Sequence, residues 1–180
     1  MKWVIDKEFS FEMGHRVWAQ KLPYQHLSLT TDCACKHLHG HSYTIKVFLG
    51  ADYLDQSEMV TDFKNLNFMK SFVDDVLDHK FMIDINDPNF EIITSVSTAF
   101  NLSDGFKNFT NLGDWARSIQ GISEERQLHL DSFVLVDFVP TSENICRYLK
   151  EYAQEFIGDI ATVTALELWE TKKSHCRYEG

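Results

Sequence analysis

The sequence has few of the features that mark exported or membrane-bound proteins. It contains only four cysteines and three prolines in 180 residues, and no stretch approaches the roughly eighteen apolar residues of a membrane-spanning helix. A single lysine near the N-terminus is followed by no long apolar segment, so we expect a soluble, cytoplasmic protein with no membrane partner. Four unevenly spaced cysteines predict no disulfide framework, in agreement with a reducing compartment.

Positive charge is also scarce. The 17 lysines and arginines are outnumbered by 27 aspartates and glutamates, and the formal net charge is -10 at pH 7. This balance repels the phosphate backbone of nucleic acids at long range, so we expect no nucleic-acid partner. A length of 180 residues with an apolar fraction of 44% is enough for one domain with a substantial hydrophobic core.

Alternation of apolar and polar residues predicts strands at both ends of the chain. The first thirteen residues and residues 42–49 alternate in this way and can pair as antiparallel neighbours. Residues 162–170 are rich in β-branched side chains and predict a third strand, with a short return strand near residues 175–178. Residues 18–36, between the first two strands, predict a long loop.

Helical periodicity replaces alternation in two segments. Apolar residues recur every three or four positions from Asp62 to about His79, and Asp62 is placed to cap the first turn. A second helix is predicted after Pro140, where hydroxyl-bearing residues precede an apolar stripe, and Gly158 ends it. Both segments therefore predict amphipathic helices.

The region between the two helices is harder to interpret. Residues 84–131 are punctuated by Asn, Asp, Ser and Gly, and only residues 111–127 suggest a helix. Residues 133–139 predict an apolar strand that leads into the second helix. We interpret the chain as one domain, residues 1–180, with an insertion at about 84–131.

Three histidines have the spacing of a metal site. His39 and His41 are two residues apart, which on an extended strand directs both rings to one side, and Gly40 lets the backbone come close to a bound group. His15, at the end of the first strand, would complete a three-histidine zinc site with an open fourth position for water or substrate. The alternative is that the histidines are exposed surface residues.

Two further groups are candidates for acid–base chemistry. Asp78 and His79 follow the first helix directly, and an aspartate can orient a neighbouring imidazole, although such a pair is also common at helix ends. Cys35 lies near the predicted zinc site and could accept protons there, or it could be a structural thiol in a loop. Cys33 and Cys35 could also be ligands of a closed structural site.

Glu170 is an acidic residue on a predicted apolar face. It falls on the same predicted face as Leu166 and Leu168. A buried carboxylate costs several kcal/mol unless a partner binds it. We therefore expect a partner for this side chain.

Six short segments occur in one order along the chain. They are residues 9–16, 35–41, 60–63, 77–79, 140–144 and 169–171. Together they resemble the 6-pyruvoyl-tetrahydropterin synthase and 6-carboxytetrahydropterin synthase family. The resemblance implies an α+β tunnelling fold, in which an antiparallel four-stranded sheet carries two helices on one face. Three subunits would close a barrel, and two trimeric barrels would stack into a homohexamer.

The resemblance also implies roles for particular residues. The implied zinc ligands are His15, His39 and His41. The implied catalytic residues are Cys35 as the base, Asp78 and His79 as the relay, and Glu170 as the anchor of the pterin ring. The implied substrate contacts are Glu170, Thr141 and Glu143. A carboxylate suits the pterin edge because its two oxygens match an N–H and an amino group.

The implied reaction converts 7,8-dihydroneopterin triphosphate to 6-carboxytetrahydropterin, with release of acetaldehyde and triphosphate, on the route to 7-deazaguanines such as queuosine. Cys35 has the spacing of the carboxy-producing branch, Cys-x-x-x-His-Gly-His, whereas Cys33 has that of the pyruvoyl-producing branch. A pyruvoyl product, or a pterin-binding or zinc-binding module without turnover, is the alternative. Offsetting the negative net charge would need local cations, with Lys36, Lys46, Arg16 and Lys172 of a neighbouring copy as candidates.

Overall fold

The structure is a computed structural model that describes residues 1–28, 33–97, 106–118 and 121–180. Contacts between Cα atoms divide the chain into two compact units. Unit 1 contains Met1–Glu12, His41–Asp78 and Ser142–Gly180, and unit 2 contains Met13–Gly40 and His79–Thr141. The assignment of residues 1–180 to one domain with an insertion stays a prediction.

Seven strands form one sheet in the described part of the chain. They are β1 (Trp3–His15), β2 (His39–Ala51), β3 (Lys80–Asp84), β4 (Thr110–Asn111), β5 (Phe133–Val136), β6 (Thr162–Thr171) and β7 (Ser174–Tyr178). The strand order is β4-β5-β3-β1-β2-β6-β7. Strand β3 is parallel to both β1 and β5, whereas the β2–β6, β6–β7 and β4–β5 pairs are antiparallel.

The prediction of a four-stranded antiparallel sheet is wrong, because the sheet is mixed and has three further strands. The four predicted strands are present as consecutive neighbours β1-β2-β6-β7. Strand β3 escaped prediction because Met82 and Ile83 are both fully buried, so its sequence does not alternate, as is common for parallel strands. Strand β4 has only two residues, too few for any pattern.

Unit 1 packs helices against the strands that alternation predicts. Contacts of Ser10 with Thr44 and of Glu12 with Ser42, at 3.2 and 2.9 Å, give β1 and β2 an antiparallel register. Helix α6 (Ser142–Ile157) carries buried residues along one stripe. The inward residues of β2 and β6 are also buried, including Ile45 and Leu168, each 0% exposed. This apolar contact is the main source of stability for the unit.

Both predicted helices of unit 1 are confirmed. The first is a 3₁₀ turn (Phe63–Leu66), then α2 (Asn67–Phe72), then a π-helical turn (Val73–Leu77). Asp62 caps it by accepting a hydrogen bond from the Lys64 amide at 2.7 Å. Helix α6 ends at Gly158, whose φ of 56° is left-handed. A 3₁₀ turn (Gly158–Ile160) then leads to β6.

Unit 2 has its own apolar core, built by β3, β5 and the short helices α3 (Phe90–Thr94), α4 (Leu112–Ala116) and α5 (Glu124–Asp131). The unit also contains the short helix α1 (Gln25–Ser28) and a 3₁₀ turn at Ala34–Lys36. The core contains Ile83, Phe90, Leu112, Leu130 and Leu135, each at most 2% exposed. The single helix predicted for residues 111–127 is therefore two shorter ones. None of the described helices is long and apolar enough to cross a membrane.

Candidate metal centre and active site

Three histidines converge where β1 ends and β2 begins. His15 is the last residue of β1, and His39 and His41 lie two residues apart at the start of β2. One ligand nitrogen from each ring lies within 4.8 Å of the other two, so the group can hold a metal ion. His15 is 1% exposed, and its ring centroid lies 4.5 Å from that of His39. The predicted set of metal-ligating residues is thus brought together.

Backbone carbonyls fix the orientation of two of these rings. His15 Nδ1 lies 2.7 Å from the carbonyl oxygen of Pro140, and His39 Nδ1 lies 2.9 Å from that of His37. A carbonyl oxygen can only accept, so Nδ1 carries the hydrogen in both rings and Nε2 has the lone pair. A ring held in this way is typical of metal-ligating histidines. The donor set therefore fits a zinc ion.

Gly40 allows β1 and β2 to lie unusually close together. A Cβ atom on Gly40 would lie 3.0 Å from the carbonyl oxygen of Met13 and 3.4 Å from Cα of Gly14. The glycine therefore permits close approach of β1, and its role beside a bound group stays a prediction. This tight contact keeps the ligand-bearing ends of the two strands side by side.

The two candidate thiols lie on a short 3₁₀ turn before β2. Cys35 is inside the turn, Cys33 precedes it, and both are half-buried thiols outside any disulfide. The Cys35 carbonyl accepts a hydrogen bond from the Val17 amide at 2.7 Å, which ties the turn to the chain leaving β1. The metal-ligating cluster identified among the described residues comprises the three histidines, so the closed site with cysteine ligands is not favoured.

Asp78 and His79 are placed at a sharp change of backbone direction. Asp78 ends the helical segment, and its Oδ1 accepts a hydrogen bond from the Glu12 amide of β1 at 2.9 Å. His79 has a left-handed φ of 57°, which is uncommon for a residue other than glycine. Such backbone geometry is often found at functional sites. The relay between these residues stays a prediction.

Glu170 lies at an irregularity of β6. The pairing of β6 with β7 shifts register between Trp169 and Thr171, so alternation does not continue through Glu170. Leu166 and Leu168 are fully buried, whereas Glu170 is half-buried. The prediction that Glu170 shares a face with Leu166 and Leu168 therefore does not hold through this irregularity. The Glu170 carboxylate therefore lies at the irregular end of β6, outside the regular alternation of the strand.

The carboxylates of Glu143 and Glu170 both influence the pKa of the Cys176 thiol. Glu143 is in the first turn of α6, and Thr141 is a half-buried residue just before that helix. Burial raises the pKa of the Cys176 thiol on β7, and the negative charges of Glu143 and Glu170 raise it further. The two predicted substrate-binding carboxylates of unit 1 therefore lie within electrostatic reach of one thiol. Their binding of a pterin stays a prediction.

Two of the predicted phosphate-binding cations already have anionic partners. Arg16 Nε lies 3.1 Å from Asp87 Oδ2, and the Lys46 ammonium lies 3.8 Å from carboxylate oxygens of both Asp6 and Glu8. Lys36, beside Cys35, is exposed. Among Arg16, Lys36 and Lys46, Lys36 is therefore the cation best placed to bind an anion from solution.

The structure also identifies residues that sequence reasoning missed. Trp18 Nε1 donates a hydrogen bond to Asp84 Oδ2 at 2.8 Å, and Asp84 and Asp87 are only 2% and 3% exposed. The apolar run before Asp84 was an available signal, since it marks the carboxyl end of a buried strand. Such ends meet at one edge of a parallel sheet, where functional residues collect.

Comparison with known proteins identifies the family of this chain. The sequence model of a family described as 6-pyruvoyl tetrahydropterin synthase matches residues 4–180. A protein of Aquifex aeolicus named 6-carboxy-5,6,7,8-tetrahydropterin synthase is 30% identical, with 99% of each chain covered. A protein of the same name from Haemophilus influenzae is 26% identical, with 97% of each chain covered.

Solved structures share the fold. The crystal structure of an uncharacterized protein from Wolinella succinogenes has a TM-score of 0.83 and 38% identity, covering 99% of this chain and 98% of the other. The 6-pyruvoyl tetrahydropterin synthase of Caenorhabditis elegans has a TM-score of 0.57 and 22% identity, covering 99% and 95%. With the family match extending over nearly all residues, the chain belongs to the 6-pyruvoyl tetrahydropterin synthase family.

Proposed function

We propose that the protein is a zinc-dependent lyase that converts 7,8-dihydroneopterin triphosphate and water to 6-carboxytetrahydropterin, acetaldehyde and triphosphate. The observation that carries the proposal is the convergence of His15, His39 and His41, with ligand nitrogens within 4.8 Å of one another. Three protein ligands with a fourth position for substrate are typical of catalytic zinc. The chemistry that zinc supplies when bound is polarisation of side-chain oxygens, which acidifies adjacent C–H bonds.

The chain's own residues would then handle protons and hold the substrate. Cys35 would remove a proton from the substrate side chain as a general base. Asp78 would orient His79, which would return a proton on the other side of the reacting carbon. Glu170 would accept hydrogen bonds from the pterin N–H and amino groups, with Glu143 and Thr141 at the edge of the pocket.

Two observations favour the carboxy product. The relatives from Aquifex aeolicus and Haemophilus influenzae both carry the name 6-carboxy-5,6,7,8-tetrahydropterin synthase. Cys35 also precedes His39-Gly40-His41 by the spacing that we associate with that branch. Supply of 7-deazaguanine precursors, a cytoplasmic location and assembly into a hexamer of two stacked trimers belong to the same proposal.

The test is incubation of purified, zinc-loaded protein with 7,8-dihydroneopterin triphosphate. We expect acetaldehyde, detected by its reduction with NADH and alcohol dehydrogenase, and 6-carboxytetrahydropterin, detected by mass spectrometry. Cys35→Ala is expected to lower kcat by at least about a hundredfold, the typical contribution of a general base. Cys33→Ala, two residues away on the same turn, is the matched control and is expected to retain most of the activity.

Other outcomes separate the alternatives. Formation of a pyruvoyl product, with loss of activity in Cys33→Ala instead of Cys35→Ala, would assign the chain to the pyruvoyl-producing branch. Tight pterin binding by the zinc-loaded protein without any product would identify a binding module. Either result would overturn the proposed reaction.

A further inference from the structure

The turn that carries Cys35 lies outside the strands of the sheet. In the described parts of residues 16–38, the chain forms only short helices and turns, and no strand ladder holds Cys35 in place. A group that transfers protons must be held to within about 0.5 Å by its surroundings. The contacts that hold this turn therefore bear directly on the reactivity of Cys35.

Three consecutive residues provide such contacts immediately after β1. Arg16 pairs with Asp87 at 3.1 Å, and Trp18 donates its indole N–H to Asp84 at 2.8 Å. Val17, between them, donates its amide N–H to the carbonyl oxygen of Cys35 at 2.7 Å. Trp18 is thus bound to the last residue of β3, Arg16 is bound to the segment after it, and Val17 is bound to the turn.

Asp84 is well suited to act as the fixed end of this connection. Its carboxylate is 2% exposed and lies at the end of β3, which pairs with both β1 and β5. Oδ1 accepts hydrogen bonds from the amide and the side chain of Asn86, at 2.9 and 3.1 Å, so Oδ2 is directed to Trp18. Burying this carboxylate costs free energy that these N–H donors offset only in part.

We propose that Asp84 is a positioning residue for Cys35, which it holds through the Trp18 indole and the Val17 amide. The proposal rests on the function proposed above, because it assumes that Cys35 transfers the proton. Asp84 does not touch the substrate in this account. Its loss would let the turn move, so that the thiol is presented at a different distance and exposure, while the histidine cluster stays intact.

The test is a double-mutant cycle with Trp18→Phe, Asp84→Asn and the double variant in the full-length, zinc-loaded protein. Trp18→Phe keeps a six-membered aromatic ring and removes the N–H donor together with the five-membered ring of the indole. The rate of alkylation of Cys35 by iodoacetamide is read by fragment-ion mass spectrometry, with Cys176 as the internal reference. Zinc content, kcat and KM are measured on the same samples.

We expect each single variant to change the alkylation rate of Cys35 relative to Cys176 by at least about threefold. The double variant should change it no further, because both residues act through one hydrogen bond. The value of kcat should fall about tenfold, with KM and zinc content within about twofold of the wild-type values. Trp115→Phe, the same replacement at a partly buried tryptophan of the unit 2 core, is the matched control and should leave all these quantities unchanged.

Unchanged alkylation of Cys35 in Trp18→Phe, or additive effects in the double variant, would overturn the proposal. A lower kcat with unaltered thiol reactivity would do the same, because it would show that the variants affect catalysis by a route other than the placement of Cys35. If Asp84→Asn does not fold, Trp18→Phe decides alone. If the wild-type protein has no turnover, the function proposed above fails, whereas the alkylation measurements still decide whether Asp84 positions Cys35.

Discussion

At the scale of single residues, the metal centre depends on backbone carbonyls as much as on imidazoles. The carbonyl oxygens of Pro140 and His37 fix the rings of His15 and His39 through Nδ1. Each contact sets the tautomer as well as the direction of the ring, so the lone pair on Nε2 is available in advance of metal binding. His37 contributes this contact with its backbone, so we expect its own imidazole to be dispensable for zinc binding.

This arrangement predicts different effects for two neighbouring histidines. His39→Ala removes one of three ligands, so we expect zinc content after dialysis to fall from about one per chain to below about 0.2. His37→Ala keeps the carbonyl that orients His39 and should retain the zinc. Elemental analysis of the dialysed proteins measures both. Retention of zinc by His39→Ala, or its loss from His37→Ala alone, would contradict the assignment.

At the scale of secondary-structure elements, the predictions succeeded where a pattern is local. Strands β1, β2 and β6 were predictable because buried residues alternate with more exposed ones along each of them. Strand β7 has no buried residue, and it was predictable only as a short return strand after β6. The three histidines were predictable from their spacing on such strands. The Trp18–Asp84 hydrogen bond was not, because it joins residues that are 66 positions apart, and neither residue has a local pattern that indicates the other.

The contact between α6 and β7 contains a pair of cysteines with a measurable signature. Cys146, on α6, donates a hydrogen bond to the carbonyl oxygen of Leu166 at 3.0 Å. Burial raises the pKa of its thiol to about 12, and the nearby Cys176 thiol also raises it. The two thiols therefore stay protonated in the folded protein at pH values where an exposed cysteine ionises.

A raised pKa in the folded state makes stability fall with increasing pH. Above about pH 9 the unfolded chain loses the Cys146 proton while the folded chain keeps it until about pH 12. The unfolded state then binds fewer protons, so the free energy of unfolding decreases by up to about 1.4 kcal/mol per pH unit in this window. Below pH 9 the contribution is fully present.

Urea unfolding at pH 8 and pH 10.5 measures this effect. The wild-type protein should lose more stability between the two pH values than Cys146→Ala, which has no thiol to ionise at this position. Cys33→Ala removes a half-buried thiol elsewhere and should retain the wild-type difference. Equal pH dependence in the wild type and Cys146→Ala would show that Cys146 ionises as readily in the folded chain as in the unfolded one.

At the scale of the whole molecule, the negative net charge of the chain repels the proposed substrate. The formal net charge is -10, and the triphosphate group is also strongly negative. Arg16, the residue after His15, and Lys46, on β2, are engaged by Asp87 and by Asp6 with Glu8. The long-range field therefore opposes the approach of a polyanion, and the local attraction must come from a small number of exposed cations such as Lys36.

This balance predicts an unusual dependence on salt. The Debye length falls from about 30 Å at 0.01 M to about 8 Å at 0.15 M ionic strength, so salt screens the distant negative charges before it screens a contact with an adjacent cation. We therefore expect kcat/KM for 7,8-dihydroneopterin triphosphate to rise over this range of sodium chloride concentration. Binding of dihydroneopterin, which lacks the phosphates, is the matched control and should change little. A decrease of kcat/KM with salt would mean that cations at the site outweigh the net charge of the chain, and Lys36→Gln would then be the variant that reverses it.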